Sequence, residues 1–130
     1  MGNLNSIRRI NFEDMQKAIK NEYLIINTLP LDMQHCLIFN SVEASLEEEK
    51  INSCIKMGRD ANIIIYGKNA NDEKIYMKYK QLYAFGFKNI HVYMGGLFEW
   101  LLLQDIYGND EFPTTKIEPD MLKYRPKSIL

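Results

Sequence analysis

Short apolar runs alternate with segments of helical periodicity along this chain. Most of these runs are rich in β-branched or aromatic residues and four to five residues long, which is typical of strands. They predict strands at Ile7 to Ile10, Tyr23 to Ile26, Ser41-Val42, Asn62 to Tyr66 and Asn89 to Tyr93. The run at 62–66 is the most strongly β-branched, so we expect it to lie at the centre of a sheet.

The intervening segments predict helices with recognisable starts and ends. Asn11 is a candidate N-cap with Asp14 three residues later, and Ser45 with Glu48 resembles a capping box for a helix that runs to about Met57. Gly58 suits the left-handed position after that helix. Two further helices are expected, one ending near Phe85 and an apolar one over residues 97–103.

Strands that alternate with helices favour an α/β fold, with a small and mainly parallel β-sheet flanked by helices on both faces. We expect residues 1–6 to form a flexible leader and residues 7–108 to form the domain. After Gly108 the periodicity stops and three prolines follow, at positions 113, 119 and 126. Residues 109–130 are therefore predicted to be a C-terminal tail, either an arm or a disordered end.

Composition narrows the classes of function. The chain has 130 residues, 46% hydrophobic and 25% charged, with a net charge of −1. The chain lacks the basic excess that is typical of nucleic-acid-binding proteins. It also has no apolar stretch long enough to span a membrane. Two cysteines make neither a disulfide framework nor a metal site, and we expect no cofactor and a cytoplasmic location.

The first six residues match an N-myristoylation pattern, with Gly2 followed four residues later by Ser6. A single acyl chain gives only marginal membrane binding, and the nearest second signal is Arg8-Arg9. Lipid anchoring through Gly2 is thus a minor hypothesis beside that of a polar leader.

The order of these elements resembles the rhodanese family over roughly residues 7 to 107. The most specific landmark is a strand followed by Gly95-Gly96 and then Trp100, in the segment YMGGLFEW. Paired glycines allow a sharp backbone turn where side chains would collide, and we expect Trp100 to pack under the neighbouring loop. The resemblance implies a rhodanese-like fold, with the family's chemistry in the loop that follows the central strand.

In active members of that family a cysteine comes directly after the central strand. Here that position falls on Gly67, which has no thiol, and the rest of the loop, Lys68-Asn69-Ala70-Asn71-Asp72, offers no sound replacement. The family's charged stretch after the second strand is also replaced, by Asn27-Thr28-Leu29. The resemblance therefore implies a catalytically inactive domain, a pseudo-sulfurtransferase.

Several functions stay open for such a domain. It can bind a protein partner, or a second copy of itself, through the C-terminal tail, or it can serve as a structural or regulatory module. The loop 67–72 precedes a helix and can bind a small anion, although Asp72 and Glu73 are more simply explained as caps of that helix. A sulfurtransferase that uses Cys36 beside His35, or Cys54, is the remaining alternative. Neighbouring side chains on an extended segment point apart, so we expect Cys36 to be buried and His35 to be a surface or structural residue. His91 lies in a predicted strand and is expected to be structural.

Overall fold

The computed structural model describes residues 7–130, so the leader and Gly2 lie outside the described residues. Within this range the chain forms five strands and four α-helices. The strands are β1 (Arg8–Ile10), β2 (Leu24–Asn27), β3 (Ser41–Val42), β4 (Ile63–Tyr66) and β5 (Ile90–Tyr93). The helices are α1 (Phe12–Lys20), α2 (Glu47–Lys56), α3 (Lys74–Ala84) and α4 (Gly96–Tyr107). Short 3₁₀ turns lie at Leu31–Met33, Ala44–Leu46 and Met121–Tyr124.

The strands form one sheet in the order β1-β5-β4-β2-β3, and every neighbouring pair is parallel. The β-branched run of β4 lies in the middle, paired with β2 on one side and β5 on the other. The prediction of a mainly parallel sheet with a central strand at 62–66 is therefore confirmed. Parallel strands end at the same edge, which brings the loops after β2, β4 and β5 together.

Side-chain alternation along β4 divides the core into two layers. Ile64 and Tyr66 contribute to the layer that includes residues of α1 and α4. Ile63 and Ile65 contribute to the layer that includes residues of α2 and α3. Both faces of the sheet are thus covered by helices, as the continuous apolar character of the strands predicts.

The two capping predictions have different outcomes. At α1 the predicted cap is confirmed: the Asp14 N–H donates to Asn11 Oδ1 at 3.0 Å, and the Asn11 N–H donates to Asp14 Oδ2 at 3.2 Å. At α2 the prediction is wrong. Ser45 lies inside the 3₁₀ turn, and the helix begins at Glu47 after Leu46, with no side-chain cap. The tighter turn satisfies the backbone there through the Leu46 N–H, which donates to Glu43 O at 2.9 Å.

The segment after Gly108 differs from the expected arm or disordered end, because it packs back on the domain. Phe112 is 3% exposed and Tyr124 is fully buried, both within the layer of α1 and α4. The backbone also pairs with the stretch before β3: the Thr115 N–H donates to Leu37 O at 2.8 Å, and an antiparallel bridge joins Ile38 to Thr114. Aromatic side chains and strand-like pairing thus hold this segment, which we call the C-terminal strap (residues 109–124).

Candidate functional site

Three loops meet at the carboxyl edge of the sheet, where open parallel sheets place their ligands. The loop after β4 comprises residues 67–72 and is called here the β4 loop. Its backbone accepts hydrogen bonds from the start of α4, because the Leu97 N–H donates to Gly67 O at 2.9 Å and the Phe98 N–H donates to Lys68 O at 3.0 Å. From the β2 side, the Thr28 hydroxyl donates to Asp72 Oδ2 at 3.0 Å. The loop is therefore tied to both neighbouring strand ends.

The Asp72 carboxylate folds back into the β4 loop. Its Oδ2 atom accepts the N–H of Lys68 at 3.0 Å as well as the Thr28 hydroxyl, and its Oδ1 atom accepts the N–H of Lys74 at 3.0 Å. The last bond satisfies a free amide at the start of α3, which is the capping role expected for Asp72. Glu73 occupies the N-cap position without a side-chain cap bond. An internal carboxylate thus occupies the concave side of this loop.

The space beside Gly67 is filled by that carboxylate. A Cβ atom added at residue 67 would lie 2.5 Å from Asp72 Oδ2 and 2.8 Å from its Cγ. Contacts below 3.0 Å force a neighbouring atom to move, so any side chain at residue 67 requires Asp72 to swing out. The loop in its present shape has room for glycine only.

Asn69 is the most buried polar side chain of the β4 loop, at 7% exposure. Its Oδ1 atom accepts the N–H of Asn71 at 2.9 Å, which fixes the turn, and its Nδ2 donates to Tyr124 O at 2.8 Å. Ala70 and Asn71 are exposed at the loop surface. The bond from Asn69 links the β4 loop to the C-terminal strap, a connection that the sequence pattern did not predict. The one available signal in the sequence was Tyr124, an aromatic residue in a segment rich in polar residues and proline, where a large apolar side chain indicates packing against the domain.

Of the Gly95-Gly96 pair, Gly96 lies directly against the β4 loop, whereas a Cβ atom at Gly95 would meet the Glu99 side chain. Gly96 has φ +68°, and a Cβ atom there would lie 2.7 Å from Gly67 O and 2.8 Å from Asn69 N. Because backbone atoms cannot move as freely as a side-chain tip, glycine is required for this close approach. This contact involves the second glycine of the pair.

Trp100 is fully buried, and two aromatic rings are among its neighbours. The indole packs edge-on against Tyr93 and Phe112, with centroid distances of 6.0 and 5.0 Å. Its Nε1–H donates to Pro113 O at 3.0 Å, so the hydrogen bond goes to the C-terminal strap and not to the β4 loop. Trp100 therefore joins β5, α4 and the strap. The Tyr93 hydroxyl donates to Glu99 Oε1 at 2.5 Å, and burial followed by this bond raises the pKa of Tyr93 far above its usual range.

Cys36, the alternative candidate nucleophile, is fully buried, as expected. Its thiol donates to Lys116 O at 3.3 Å, and burial raises the pKa of Cys36, which disfavours the thiolate. His35 bonds to Glu118 Oε1 at 2.8 Å, and its side chain is 43% exposed. These contacts favour structural roles for both residues.

Cys54 lies on α2 and is half-buried. It lines an open groove of about 760 Å³ beside β3, at the far side of β2 from the β4 loop. Across residues 7–130 no group of three or more His, Cys, Asp or Glu side chains is arranged to hold a metal ion. None of the helices in that range combines the length and apolar character that crossing a bilayer requires.

A layered α/β domain with an all-parallel sheet and a tight loop at the end of its central strand defines the class of this protein. Its sequence matches the Rhodanese-like domain family over residues 20–103. The chain belongs to the rhodanese family, and its fold is the rhodanese fold, as the resemblance implied. No curated protein matches the chain.

Solved structures share this fold at low sequence identity. Saccharomyces cerevisiae Ygr203w, described as a homolog of single-domain rhodanese and of the Cdc25 phosphatase catalytic domain, is 14% identical with a TM-score of 0.63. The match covers 93% of this chain and 95% of that one.

Two longer proteins contain a similar unit. Thiosulfate sulfurtransferase from Pseudomonas aeruginosa is 19% identical with a TM-score of 0.53, and CoADR-RHD from Bacillus anthracis is 18% identical with a TM-score of 0.52. Each match covers 72% of this chain, which spans only 18% and 16% of those two proteins, respectively. At these identities the likeness establishes the fold alone.

Proposed function

We propose that this rhodanese-like domain does not transfer sulfur and acts by binding another protein. The observation that carries the proposal is the occupied β4 loop. Residue 67, directly after the central strand, is a glycine, and the Asp72 carboxylate takes the space that a side chain there would need. A persulfide intermediate requires a thiolate, and a fixed carboxylate at this position repels one.

The electrostatics of the β4 loop also argue against a small-anion site within it. The Lys68 N–H and the Thr28 hydroxyl, donors that would otherwise face an anion, both donate to Asp72. A second anion would have to displace this carboxylate from three hydrogen bonds. Anion binding inside the β4 loop is therefore disfavoured relative to a role for the domain surface.

The binding surface of this proposal excludes the buried part of the C-terminal strap. Phe112 and Tyr124 belong to the core, so they are not available to a partner or a second copy without unfolding of the strap. The binding surface of this proposal therefore lies among exposed residues near the β4 loop.

The test is a thiosulfate:cyanide sulfurtransferase assay of the purified protein and of its Cys36→Ser/Cys54→Ser double variant. We expect no thiocyanate above the blank from either protein, with an active rhodanese as the positive control. Activity of the wild type that disappears in the double variant would identify one of these cysteines as a nucleophile and overturn the proposal.

A further inference from the structure

A cleft of about 640 Å³ lies where the β4 loop meets the start of α3 and residues 125–129. Two groups of side chains line it and define what we call the basic cleft. The cationic group is Lys68, Lys74, Arg125 and Lys127, and the apolar group is Pro30, Met77 and Ile129.

The cations of the basic cleft are not neutralised within the described chain. None of the four forms an ion pair with any residue between 7 and 130. Arg125 is held in place by its Nη1–H, which donates to Leu122 O at 2.7 Å and leaves the rest of the guanidinium free to bind an anion. A chain with a net charge of −1 thus gathers four unpaired cations around one cleft.

Two carboxylates also line the cleft, but only one of them faces outward. Asp72 is turned into the β4 loop, where it accepts bonds from Thr28, Lys68 and Lys74. Glu73 is exposed at the start of α3. The surface that a ligand meets therefore carries an excess of positive charge.

Exposed apolar side chains lie among these cations. Met77 is 73% exposed and Ile129 is 94% exposed. An adaptable methionine and an exposed isoleucine favour apolar side chains of a ligand, while the surrounding lysines favour its carboxylates. A small inorganic anion would use the charges but not the apolar surface.

We propose that the basic cleft binds an acidic peptide segment of a partner protein, one in which carboxylate and apolar side chains alternate. This inference rests on the proposed protein-binding function and names the surface and the chemistry of the partner. The cations come from three separate stretches of chain, so they suit charges spread along a peptide better than one compact anion. The net charge of −1 on the whole chain argues against a nucleic acid.

The experiment measures the fluorescence anisotropy of a labelled seven-residue peptide of alternating Glu and Leu, titrated with the full chain. The reference peptide has Gln in place of every Glu. The cleft variant is Lys68→Gln/Lys74→Gln/Lys127→Gln, which keeps Arg125 because its side chain bonds to the backbone. We expect binding of the acidic peptide to weaken about tenfold in this variant, because each exposed ion pair contributes modestly.

The matched control variant is Lys20→Gln/Lys56→Gln/Lys88→Gln. These exposed lysines precede β2, β4 and β5, so they lie at the amino edge of the sheet, opposite the basic cleft. The control removes the same charge and should bind the acidic peptide as the wild type does. Equal weakening in both variants, or equal binding of the Gln peptide, would overturn the proposal.

Competitors separate the remaining ligand chemistries. Displacement of the peptide by millimolar inorganic phosphate would make the site one for small anions, and tighter binding of a single-stranded oligonucleotide would make it one for nucleic acid. Either result overturns the peptide proposal. The sulfurtransferase assay is independent of all these measurements. A protein that shows neither sulfurtransferase activity nor peptide binding would therefore overturn only the proposal that the basic cleft binds an acidic peptide.

Discussion

Residue 67 decides the chemistry available to the β4 loop. It is a glycine without a side chain, and its surroundings leave no space for one. The atoms nearest to a Cβ placed on residue 67 all belong to Asp72, and they include the Cβ atom of Asp72 at 2.9 Å. A thiol with a lowered pKa at this position therefore takes two changes, one at residue 67 and one at residue 72. The sequence shows the glycine, but the returning carboxylate depends on loop geometry that no local pattern encodes.

This coupling predicts different thiol acidity in two variants made in a Cys36→Ser/Cys54→Ser background. In Gly67→Cys the Asp72 carboxylate is displaced but remains a near neighbour of the new thiol, and its negative charge should raise the pKa of that thiol. In Gly67→Cys/Asp72→Gly the carboxylate is gone and the amide of Lys68 faces the sulfur, which should lower the pKa relative to the single variant. Alkylation rates measured against pH give both values. Equal pKa values would show that Asp72 does not face residue 67.

Among the elements, the C-terminal strap is held by local as well as distant contacts. Glu118 accepts hydrogen bonds from His35 at 2.8 Å, from Lys123 at 2.7 Å and from the N–H of Asp120 at 3.2 Å. These bonds, with His35 first in effect, lower the pKa of Glu118 to about 2. The ionised form of this residue is therefore the one that fastens the strap to the stretch before β3.

The lowered pKa predicts a loss of stability in acid. In the unfolded chain Glu118 titrates near 4.5, so between that pH and about pH 2 the unfolded state binds more protons. The stabilisation is complete above pH 4.5 and is lost as the pH falls toward 2. We expect the free energy of unfolding to fall less across this window in Glu118→Gln than in the wild type. Urea denaturation at about pH 6 and about pH 3 measures the free energy of unfolding of both proteins. An equal fall between the two pH values in the wild type and in Glu118→Gln would contradict the role given to Glu118.

The accuracy of the sequence predictions depended on the distance between interacting residues. The Asn11–Asp14 cap and the β-branched run of β4 follow from neighbours within a few positions, and both were predicted correctly. Ser45 has the right spacing to Glu48 for a cap, but it lies within the 3₁₀ turn Ala44–Leu46 that precedes the helix. The partners of the strap, such as Leu37 for Thr115, lie more than seventy residues away. Such pairings leave no periodic signal.

For the whole molecule, the strap completes one of the two core layers. Without it Trp100 loses Phe112 from one edge of its ring and leaves its indole N–H without the carbonyl of Pro113. The Tyr124 ring fills a fully buried position in the same layer. The boundary predicted at residue 108 thus separates two patterns in the sequence, whereas the hydrophobic layer continues across it.

A pair of truncations tests this continuity. Ending the chain after Gly108 removes Phe112 and Tyr124 and should lower the free energy of unfolding by several kcal/mol, since loss of a single buried Phe side chain typically costs about 3–5 kcal/mol. Ending it after Arg125 keeps both aromatic residues and should have little effect. Thermal unfolding by circular dichroism compares the two. Similar melting temperatures for the first truncation and the full chain would mean that the strap is not part of the core.

The pairing of β1 with β5 and of the strap with residues 37–39 also constrains how the protein can be made. Arg8 to Ile10 are synthesised more than eighty residues before their partners at His91 to Tyr93, and Tyr124 follows later still. Until then the nascent chain carries an incomplete sheet and an open apolar layer, which is the kind of surface that chaperones bind. Folding is therefore expected to finish only after the strap has cleared the exit tunnel, and the growing chain depends on protection until that moment.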